Sequence, residues 1–290
     1  MRRGPLTDAA TTSTALPRVA PILKWVGGKR KLLQHLVQHL PDDFSQRLYC
    51  EPFLGGGALL FALRPPRAVV NDSNDELINV YRVVRDSPSA LIESLRQHEN
   101  RPEHFYRVRA MDRDGLYGQL DDVERASRII YLNKTCFNGL YRVNRRGEFN
   151  SPFGFYQRPN IVNEQGIHAM SGYLRQADIT LRHGDYLPIL HELPEQAFAY
   201  IDPPYHPMSA TANFTGYVRN GWGEGDQVRL RDACNALSAR GVRFMLSNSN
   251  TELIRELYAG YRCTGIMVHR SVSARATGRK PVGELIVCNY

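Results

Sequence analysis

Cysteine is scarce in this sequence, and its few copies are scattered. The chain contains five, at Cys50, Cys136, Cys234, Cys263 and Cys288, and no two form a C-x-x-C pair. Zinc sites and redox motifs are usually built from such close pairs, and disulfide frameworks are typical of short secreted chains. We therefore expect reduced thiols in the core and no metal site, and the odd count fits a reducing cytoplasm.

Long apolar runs are also lacking. No stretch approaches the roughly 20 apolar residues that span a bilayer, so no membrane partner is expected. The first 20 residues are polar and rich in Thr and Ala, without the apolar segment that a signal peptide requires. We predict that residues 1–20 form a disordered tail.

Acidic residues are outnumbered by basic ones. The chain has 29 Asp and Glu against 37 Lys and Arg, a net charge of +8 and a pI of about 9.3. This balance suggests a polyanionic partner, although charge alone is weak support. With 290 residues and 42% hydrophobic content, the chain is long enough for one large α/β domain with an inserted subdomain, or for two small domains.

The most informative stretch is an apolar run at 198–201 followed by Asp202, Pro203, Pro204 and Tyr205. The run predicts a short buried strand. Both prolines restrict the backbone, so the chain leaves the strand in one direction and the Asp202 carboxylate lies beside the Pro203 carbonyl. Two acceptors next to an aromatic ring suit a flat heteroaromatic ring with an exocyclic amine. A strand-ending turn with an Asp cap is the alternative.

Other segments predict a nucleotide-like ligand. A strand at 48–50 leads into a glycine loop at 55–57, where the backbone can pass under a ligand. Asp72 ends the next strand, the place where doubly wound folds bind ribose hydroxyls. Trp25 precedes a Gly-Gly-Lys turn and is placed to cover a ligand, and Asp185 follows a third strand, where it can accept from an adenine amine. Core packing of Trp25, and helix capping by the two carboxylates, are the alternatives.

Residues 87–135 predict helices, whereas residues 133–156 have a different character. In the second segment, aromatic residues alternate with Arg and Asn, and an Arg-Gly pair marks a hairpin turn. Arg can donate two bonds to guanine, Asn can pair with adenine, and aromatic rings stack on bases or insert between them. Asn138 belongs to this pattern and is a candidate base contact. A solvated basic hairpin is the alternative.

Four motifs follow one another along the chain: Lys-Trp-Val-Gly-Gly-Lys at 24–29, Glu-Pro-Phe-Leu-Gly-Gly-Gly at 51–57, Asn-Asp-Ser-Asn at 71–74 and Asp-Pro-Pro-Tyr at 202–205. Between the last two lie Asn-Gly-Leu-Tyr-Arg and Arg-Gly-Glu-Phe-Asn-Ser-Pro-Phe-Gly. From about Pro21 to Tyr290 the chain resembles the Dam family of DNA adenine methyltransferases. The resemblance implies an α/β fold with a Rossmann-like sheet that binds S-adenosylmethionine. It implies a catalytic domain, residues 21–86 and 179–290, and an inserted helical and β-hairpin target-recognition domain, residues 87–178.

The resemblance also implies roles by position. The catalytic motif is formed by Asp202, Pro203, Pro204 and Tyr205. The positions that match cofactor contacts are Trp25, Lys29, Phe53, Gly55, Asp72 and Asp202, to which the residue pattern adds Asp185. The positions that match readers of the four-base site GATC are Lys24, Leu140, Arg142, Pro152 and Tyr156. Phe137 matches an aromatic side chain that inserts into the base stack, and Phe155 departs from the Arg that some relatives have at its position.

The reaction implied is transfer of a methyl group from S-adenosylmethionine to the N6 amine of an adenine flipped out of double-stranded DNA. The implied setting is a bacterial or phage-encoded protein that is cytoplasmic and nucleoid-associated. A cognate restriction endonuclease in the same system, not a physical subunit, is a candidate partner. The alternatives are a methyltransferase acting on RNA or on a small amine, and a non-catalytic DNA-binding regulator. The glycine spacing argues against a nicotinamide-dependent oxidoreductase.

Overall fold

The structure, a computed structural model, describes residues 19–25, 27–29, 31–115, 117–207, 222–269 and 281–290. Residues 1–18 of the predicted tail lie outside these ranges. The strands are β1 Leu48–Glu51, β2 Arg67–Asp72, β3 Asp178–His183, β4 Ala197–Ile201, β5 Arg243–Ser249, β6 Arg262–His269 and β7 Pro281–Cys288. The α-helices are α1 Leu33–Gln38, α2 Ala58–Leu63, α3 Asp75–Asp86, α4 Pro88–Arg96, α5 Pro102–Ala110, α6 Asp122–Thr135, α7 Glu164–Gln176, α8 Tyr186–Glu192, α9 Glu224–Ala239 and α10 Glu252–Leu257.

The described strands form one seven-stranded sheet in the order β3-β2-β1-β4-β5-β7-β6. The first five positions of this order are parallel, and β7 is antiparallel to both β5 and β6. The sheet confirms the predicted α/β class and is consistent with an S-adenosylmethionine-dependent methyltransferase fold. None of the helices in the described ranges is long and apolar enough to cross a membrane.

The strand order reverses between β1 and β4, and this reversal places the candidate site. In sheets of this kind, ligands bind outside the carboxyl ends of the strands at the point of reversal. Cys50 in β1 pairs with Val69 in β2 and with Ala199 in β4. The glycine loop that follows β1 and the Asp-Pro-Pro-Tyr motif that follows β4 therefore begin side by side.

The helices predicted for residues 87–135 are present and share a core with the sheet. Asn74 caps α3 by accepting from the Leu77 N–H, and Asp121 caps α6 in a reciprocal capping box with Glu124. Helix α3 packs on α6 and α7, and α4 packs on α6. Their buried side chains belong to the same cluster as residues of β1 and β2. The core is thus continuous across residue 87, and a separate recognition domain at 87–178 stays a prediction.

The predicted hairpin within 133–156 forms only in part. Two isolated antiparallel bridges join Cys136 to Phe153 and Val143 to Phe149, and a 3-10 turn occupies Phe137–Gly139. Continuous strands are interrupted because Asn138 has a φ of 57° and because Pro152 has no N–H to donate. The segment is therefore shaped mainly by side chains and turns.

Glu51 ends β1 as a buried carboxyl group, 3% exposed. Its Oε2 atom accepts from the Tyr49 hydroxyl at 2.8 Å. Burial raises the pKa of Glu51 to about 8, and the nearby Asp202 charge adds to the rise, while the Tyr49 hydrogen bond opposes it. The folded protein therefore favours a protonated Glu51 near neutral pH.

Glu51→Gln is expected to remove a pH-dependent loss of stability. The pKa of Glu51 is about 8 in the folded protein, whereas its ordinary value is 4.5. Between these two pH values the folded protein keeps the proton that the unfolded chain has already lost. The contribution of Glu51 to the free energy of unfolding therefore falls as the pH rises from 4.5 to 8, whereas Gln has no proton to lose. Urea unfolding should give a stability advantage of the variant that grows over this pH range by up to about 5 kcal/mol.

The matched control is Glu103→Gln, which removes a carboxylate from an exposed position. Its stability relative to the wild type should be nearly constant with pH. A constant difference for Glu51→Gln as well would contradict the assignment of a raised pKa to Glu51.

Candidate active site

Asp202 follows the last residue of β4 and lies at the centre of a polar network. Its Oδ1 atom accepts from Lys29 Nζ at 2.8 Å and from Ser247 Oγ at 2.9 Å. The Asp202 side chain is 18% exposed and that of Lys29 only 8%, so the ion pair is mostly buried. Burial raises the pKa of Asp202, and the charge and hydrogen bond of Lys29 oppose the rise. Lys29 thereby favours an ionised carboxylate at the end of β4.

Lys29 is held by a second acceptor and by an aromatic ring. Its Nζ donates to the Gly27 carbonyl at 2.7 Å and lies 4.5 Å from the centre of the Tyr205 ring. Gly27 has a φ of 78°, a conformation that glycine adopts without steric strain. The turn predicted from the paired glycines therefore directs Lys29 toward Asp202 and Tyr205.

The rest of the Asp-Pro-Pro-Tyr motif is fixed by α9 and β7. The Pro204 carbonyl accepts from Gln227 Nε2 at 2.9 Å. The Tyr205 hydroxyl donates to Glu284 Oε2 at 2.9 Å. Because Lys29 lies over one face of the Tyr205 ring, and Glu284 binds its hydroxyl, the ring is held at both its face and its tip.

The polar end of β5 belongs to the site, although its sequence pattern predicts a loop at 247–250. The structure extends β5 to Ser249. Ser247 donates to Asp202, and Asn248 Oδ1 accepts from the His206 N–H at 3.1 Å. A sequence signal existed, because small polar residues directly continue an apolar strand. The pairing of β5 with β4 brings those residues to Asp202, and no local sequence pattern predicts this pairing.

The glycine loop after β1 is fixed by Asp72 from β2. The Gly55 N–H donates to Asp72 Oδ2 at 2.8 Å, and the Tyr81 hydroxyl donates to the Gly55 carbonyl at 2.8 Å. A Cβ atom at Gly55 would lie 3.1 Å from the Trp25 ring, and its φ is 50°. Glycine is therefore required here both by the backbone conformation and by the close approach of Trp25.

Asp72 itself does not cap α3. Its Oδ1 atom accepts from the Asn74 N–H at 2.9 Å, and Asn74 provides the cap. Burial raises the pKa of Asp72, while its hydrogen bonds from Gly55 and Asn74 oppose the rise. Asn74 therefore has the capping role that was the alternative for Asp72. A ribose contact by Asp72 stays a prediction.

Asp185 does cap a helix, as the alternative interpretation predicts. Its Oδ1 atom accepts from the Leu187 N–H at 2.9 Å at the start of α8, and the carboxylate pairs with Arg229 at 3.0 Å. A contact from Asp185 to a cofactor is an additional role that stays a prediction.

An aromatic cluster lies beyond the ends of β1 and β3. The Phe53 ring lies 4.9 Å from that of Tyr186 and 5.6 Å from that of Trp222. The Tyr186 hydroxyl and the Trp222 Nε1 atom are buried and have no hydrogen-bond partner within the part of the chain that the structure describes. Buried polar groups in native proteins nearly always have partners, so these two groups are suited to a polar ligand.

Trp25 connects the glycine loop to the segment predicted to bind DNA. Its ring stacks on that of Tyr141 at a centroid distance of 4.9 Å while it also approaches Gly55. The backbone of Lys24 exchanges hydrogen bonds with the Asn133 side chain at 2.9 and 2.8 Å. The structure therefore brings the motif at 24–29 against both halves of the candidate site.

The predicted DNA-reading residues lie in one segment around the partial hairpin. Phe137 donates its N–H to the Pro152 carbonyl at 2.8 Å, and its side chain is 54% exposed. Arg142 donates from Nε to Asn150 Oδ1 at 2.7 Å. Tyr156 is also exposed, and Leu140 is half-buried. None of these positions is closed off inside the core.

Buried ions hold this segment against α5 and α6. Asp112 Oδ2 accepts from the Phe149 N–H at 2.7 Å and from Arg128 at 2.8 Å, and Arg113 donates to the Phe149 carbonyl. Arg128 is almost fully buried and donates to the Val108 carbonyl at 2.9 Å. These contacts were not predicted, because no local pattern pairs these charges with a backbone so distant in sequence.

Comparisons with known proteins identify what this arrangement is similar to. Residues 25–273 match the family described as D12 class N6 adenine-specific DNA methyltransferase. A type II methyltransferase of Lactococcus lactis subsp. cremoris, M1.LlaDCHI, is 44% identical over 272 residues, covering 93% of this chain and 95% of that protein. M.MjaIII, a type II methyltransferase of Methanocaldococcus jannaschii, is 36% identical and covers 94% and 99%. A DNA adenine methylase of Vibrio cholerae is 34% identical and covers 91% and 94%.

The family match spans both the Lys29–Asp202 site and the segment at 133–156. The relatives align along nearly their whole length, so neither half of the site is missing from the comparison. The resemblance inferred from the motifs is thereby confirmed, and this chain belongs to the D12 class of N6 adenine-specific DNA methyltransferases.

Proposed function

We propose that this protein transfers the methyl group of S-adenosylmethionine to N6 of an adenine in double-stranded GATC sites, with that adenine flipped out of the helix. The observation that supports the chemistry best is the buried Asp202, paired with Lys29 and followed by Pro203 and Tyr205 at the reversal point of the sheet. An amine acceptor at this point faces the glycine loop, where the cofactor is expected.

The residues present fit S-adenosylmethionine. Asp72 keeps lone pairs for a ribose hydroxyl after accepting two backbone N–H groups, because a carboxylate has about four acceptor sites. The aromatic cluster of Phe53, Tyr186 and Trp222 offers flat apolar surface and two donors that bind no other described residue. When bound, S-adenosylmethionine supplies a methyl group on a positively charged sulfur. Trp25 and Gly55 then exclude water from the side of the loop.

The catalytic motif prepares the adenine amine. Lys29 and Ser247 both bind Oδ1 of Asp202, and in the proposed mechanism Oδ2 accepts one amine N–H while the Pro203 carbonyl accepts the other. These bonds favour a tetrahedral nitrogen whose lone pair points at the methyl group. In-line alignment would let the N6–methyl bond form as the methyl–sulfur bond breaks and S-adenosylhomocysteine leaves, and alignment of this type can supply roughly 7 to 11 kcal/mol. The proton leaves after methylation, when the nitrogen has become acidic.

The flipped base needs a stacking partner, and Tyr205 is held ready for that role. Lys29 lies over one face of its ring, and the proposal assigns the opposite face to the adenine. Extracting a base costs a few kcal/mol, and stacking returns about 1 to 3 kcal/mol. Insertion of the exposed Phe137 ring into the vacated stack would offset more of the cost.

The GATC site is proposed from the positions of Lys24, Leu140, Arg142, Pro152 and Tyr156. Their common location around the partial hairpin supports one continuous reading surface. A regulator without catalysis would need no Lys29–Asp202 pair, and an RNA methyltransferase is disfavoured by the family match. A cognate restriction endonuclease stays a prediction, supported by relatives that are named type II methyltransferases.

The central test compares two duplexes, one with GATC and one with GTAC, each incubated with the protein and labelled S-adenosylmethionine. Mass analysis of the nucleosides should give N6-methyladenine only from the GATC duplex. Methylation of both duplexes would retain the chemistry and contradict the proposed site. Methylation of single-stranded RNA in place of DNA would contradict the substrate.

Lys29→Met is expected to shift the pH dependence of transfer to higher pH. Without the ammonium group, the largest opposition to the effect of burial is lost and the pKa of Asp202 rises further, so a higher pH is needed to ionise it. We would measure kcat against pH at saturating cofactor, because Lys29 is also a proposed cofactor contact. Asp202→Asn should lose at least about 100-fold in kcat at every pH.

The control for these variants is Asp232→Asn, which changes an exposed carboxylate and should leave the pH profile unaltered. DNA binding by Asp202→Asn should be retained. An unshifted profile in Lys29→Met would show that Asp202 ionisation does not depend on this ion pair.

Arg142→Ala is expected to relax discrimination at one base pair of the site. A bidentate Arg contact contributes about 1 to 3 kcal/mol of selectivity, so the ratio of kcat/KM for GATC to that for singly changed sites should fall at that pair alone. Arg145→Ala, a matched change at an exposed residue of the same turn, should leave all these ratios unchanged. Equal losses on every sequence for Arg142→Ala would identify Arg142 as a phosphate contact.

A further inference from the structure

Phe155 is the most exposed large apolar side chain in the described part of the chain, at 75%. Two other exposed aromatic residues, Phe137 and Tyr156, lie in the same segment. Water contact with so much of a Phe ring is unfavourable. An exposed cluster of this kind is typical of a surface that is covered by a partner.

The backbone at Phe155 is strained as well. Its φ is 52°, and the other non-glycine residues with positive φ in the described ranges are Arg64 and Asn138. Asn tolerates this conformation, whereas a bulky aromatic residue rarely adopts it. Strain persists only where the surroundings enforce it, and such positions concentrate at ligand-contacting sites.

The surroundings of Phe155 do enforce its conformation. On one side, the Gly154 N–H donates to the Thr135 carbonyl at 2.8 Å. On the other, Asn100 Nδ2 donates to the Tyr156 carbonyl at 2.7 Å. The ring edge rests on Phe153, at a centroid distance of 5.0 Å, and Phe153 is itself buried. The chain is thus fixed on both sides of a side chain that points into solvent.

The geometry points to Phe155 as an apolar contact to DNA that stacks on a base or inserts into a base step beside the methylation site. This inference rests on the proposed function. DNA is the occupant that fits, because the ring shares its segment with Arg142 and the exposed Phe137, and because the chain has a net charge of +8. Phe is among the residues that proteins insert between base steps.

The test is the affinity for a GATC duplex, measured without cofactor over a range of salt concentrations. Phe155→Ala should bind about 5- to 150-fold more weakly, the range expected for loss of one stacking contact, with an unchanged salt slope because no phosphate contact is lost. Phe155→Trp should retain the affinity. Phe155→Arg should steepen the slope of log K against log salt by about 0.9, the value for one added phosphate contact.

Two further variants separate a DNA contact from a structural role. Phe155→Gly relieves the positive φ, so its thermal stability should be no lower than that of Phe155→Ala while its affinity is equally reduced. Met267→Ala removes an equally prominent apolar side chain, 67% exposed on the edge strand β6, and should leave DNA binding unchanged.

Wild-type affinity in Phe155→Ala, or a loss that follows a loss of stability across the series, would overturn the inference. Neither outcome bears on methyl transfer, which the two-duplex experiment tests separately. Conversely, a wild-type protein that binds the GATC duplex without methylating it would contradict the proposed function. The affinity ratios of the Phe155 variants would still decide the role of this ring.

Discussion

The contact between Lys29 and Asp202 is the constraint on which the arrangement of the site depends. A carboxylate at the end of a fully buried strand would take up a proton if no counter-charge were near. Lys29 supplies that charge, but it precedes β1 in the chain, so it reaches Asp202 only through the turn at Gly27. The other charge-stabilising group, Ser247, comes from β5. The ionisation of Asp202 therefore depends on both the strand order and the geometry of the turn at Gly27.

Trp25 extends this condition from the Asp-Pro-Pro-Tyr motif to the segment at 133–156. Its ring packs close to Gly55 on one side and stacks on Tyr141 on the other. The glycine loop and the segment at 133–156 thus contact the same side chain, next to the residue whose backbone binds Asn133. A displacement of the segment at 133–156 would move Trp25 and thereby change the packing at the glycine loop.

Features that depend on local sequence pattern can be predicted from the sequence, whereas features that depend on strand pairing cannot. Asp202, Asp72 and the glycine loop each end an apolar run, so their places at strand ends follow from local pattern. The roles of Ser247 and Glu284 do not, because β7 is the last strand in the chain yet pairs between β5 and β6. The sequence also predicts a more regular hairpin at 133–156 than the structure contains. Alternation favours strands, but positive φ at Asn138 and the missing N–H of Pro152 interrupt the ladder.

A recognition segment with so little regular structure needs another source of rigidity, and buried charge provides it. Asp112 is held by Arg128, and together with Arg113 it binds both the N–H and the carbonyl of Phe149. Removing one member of such a buried pair generally costs several kcal/mol because the other charge stays desolvated, so the segment cannot easily leave this position. The ion pairs thus fix the segment at Phe149, while the hydrogen bonds of Gly154 with Thr135 and of Asn100 with Tyr156 fix the chain on both sides of Phe155, where φ is positive.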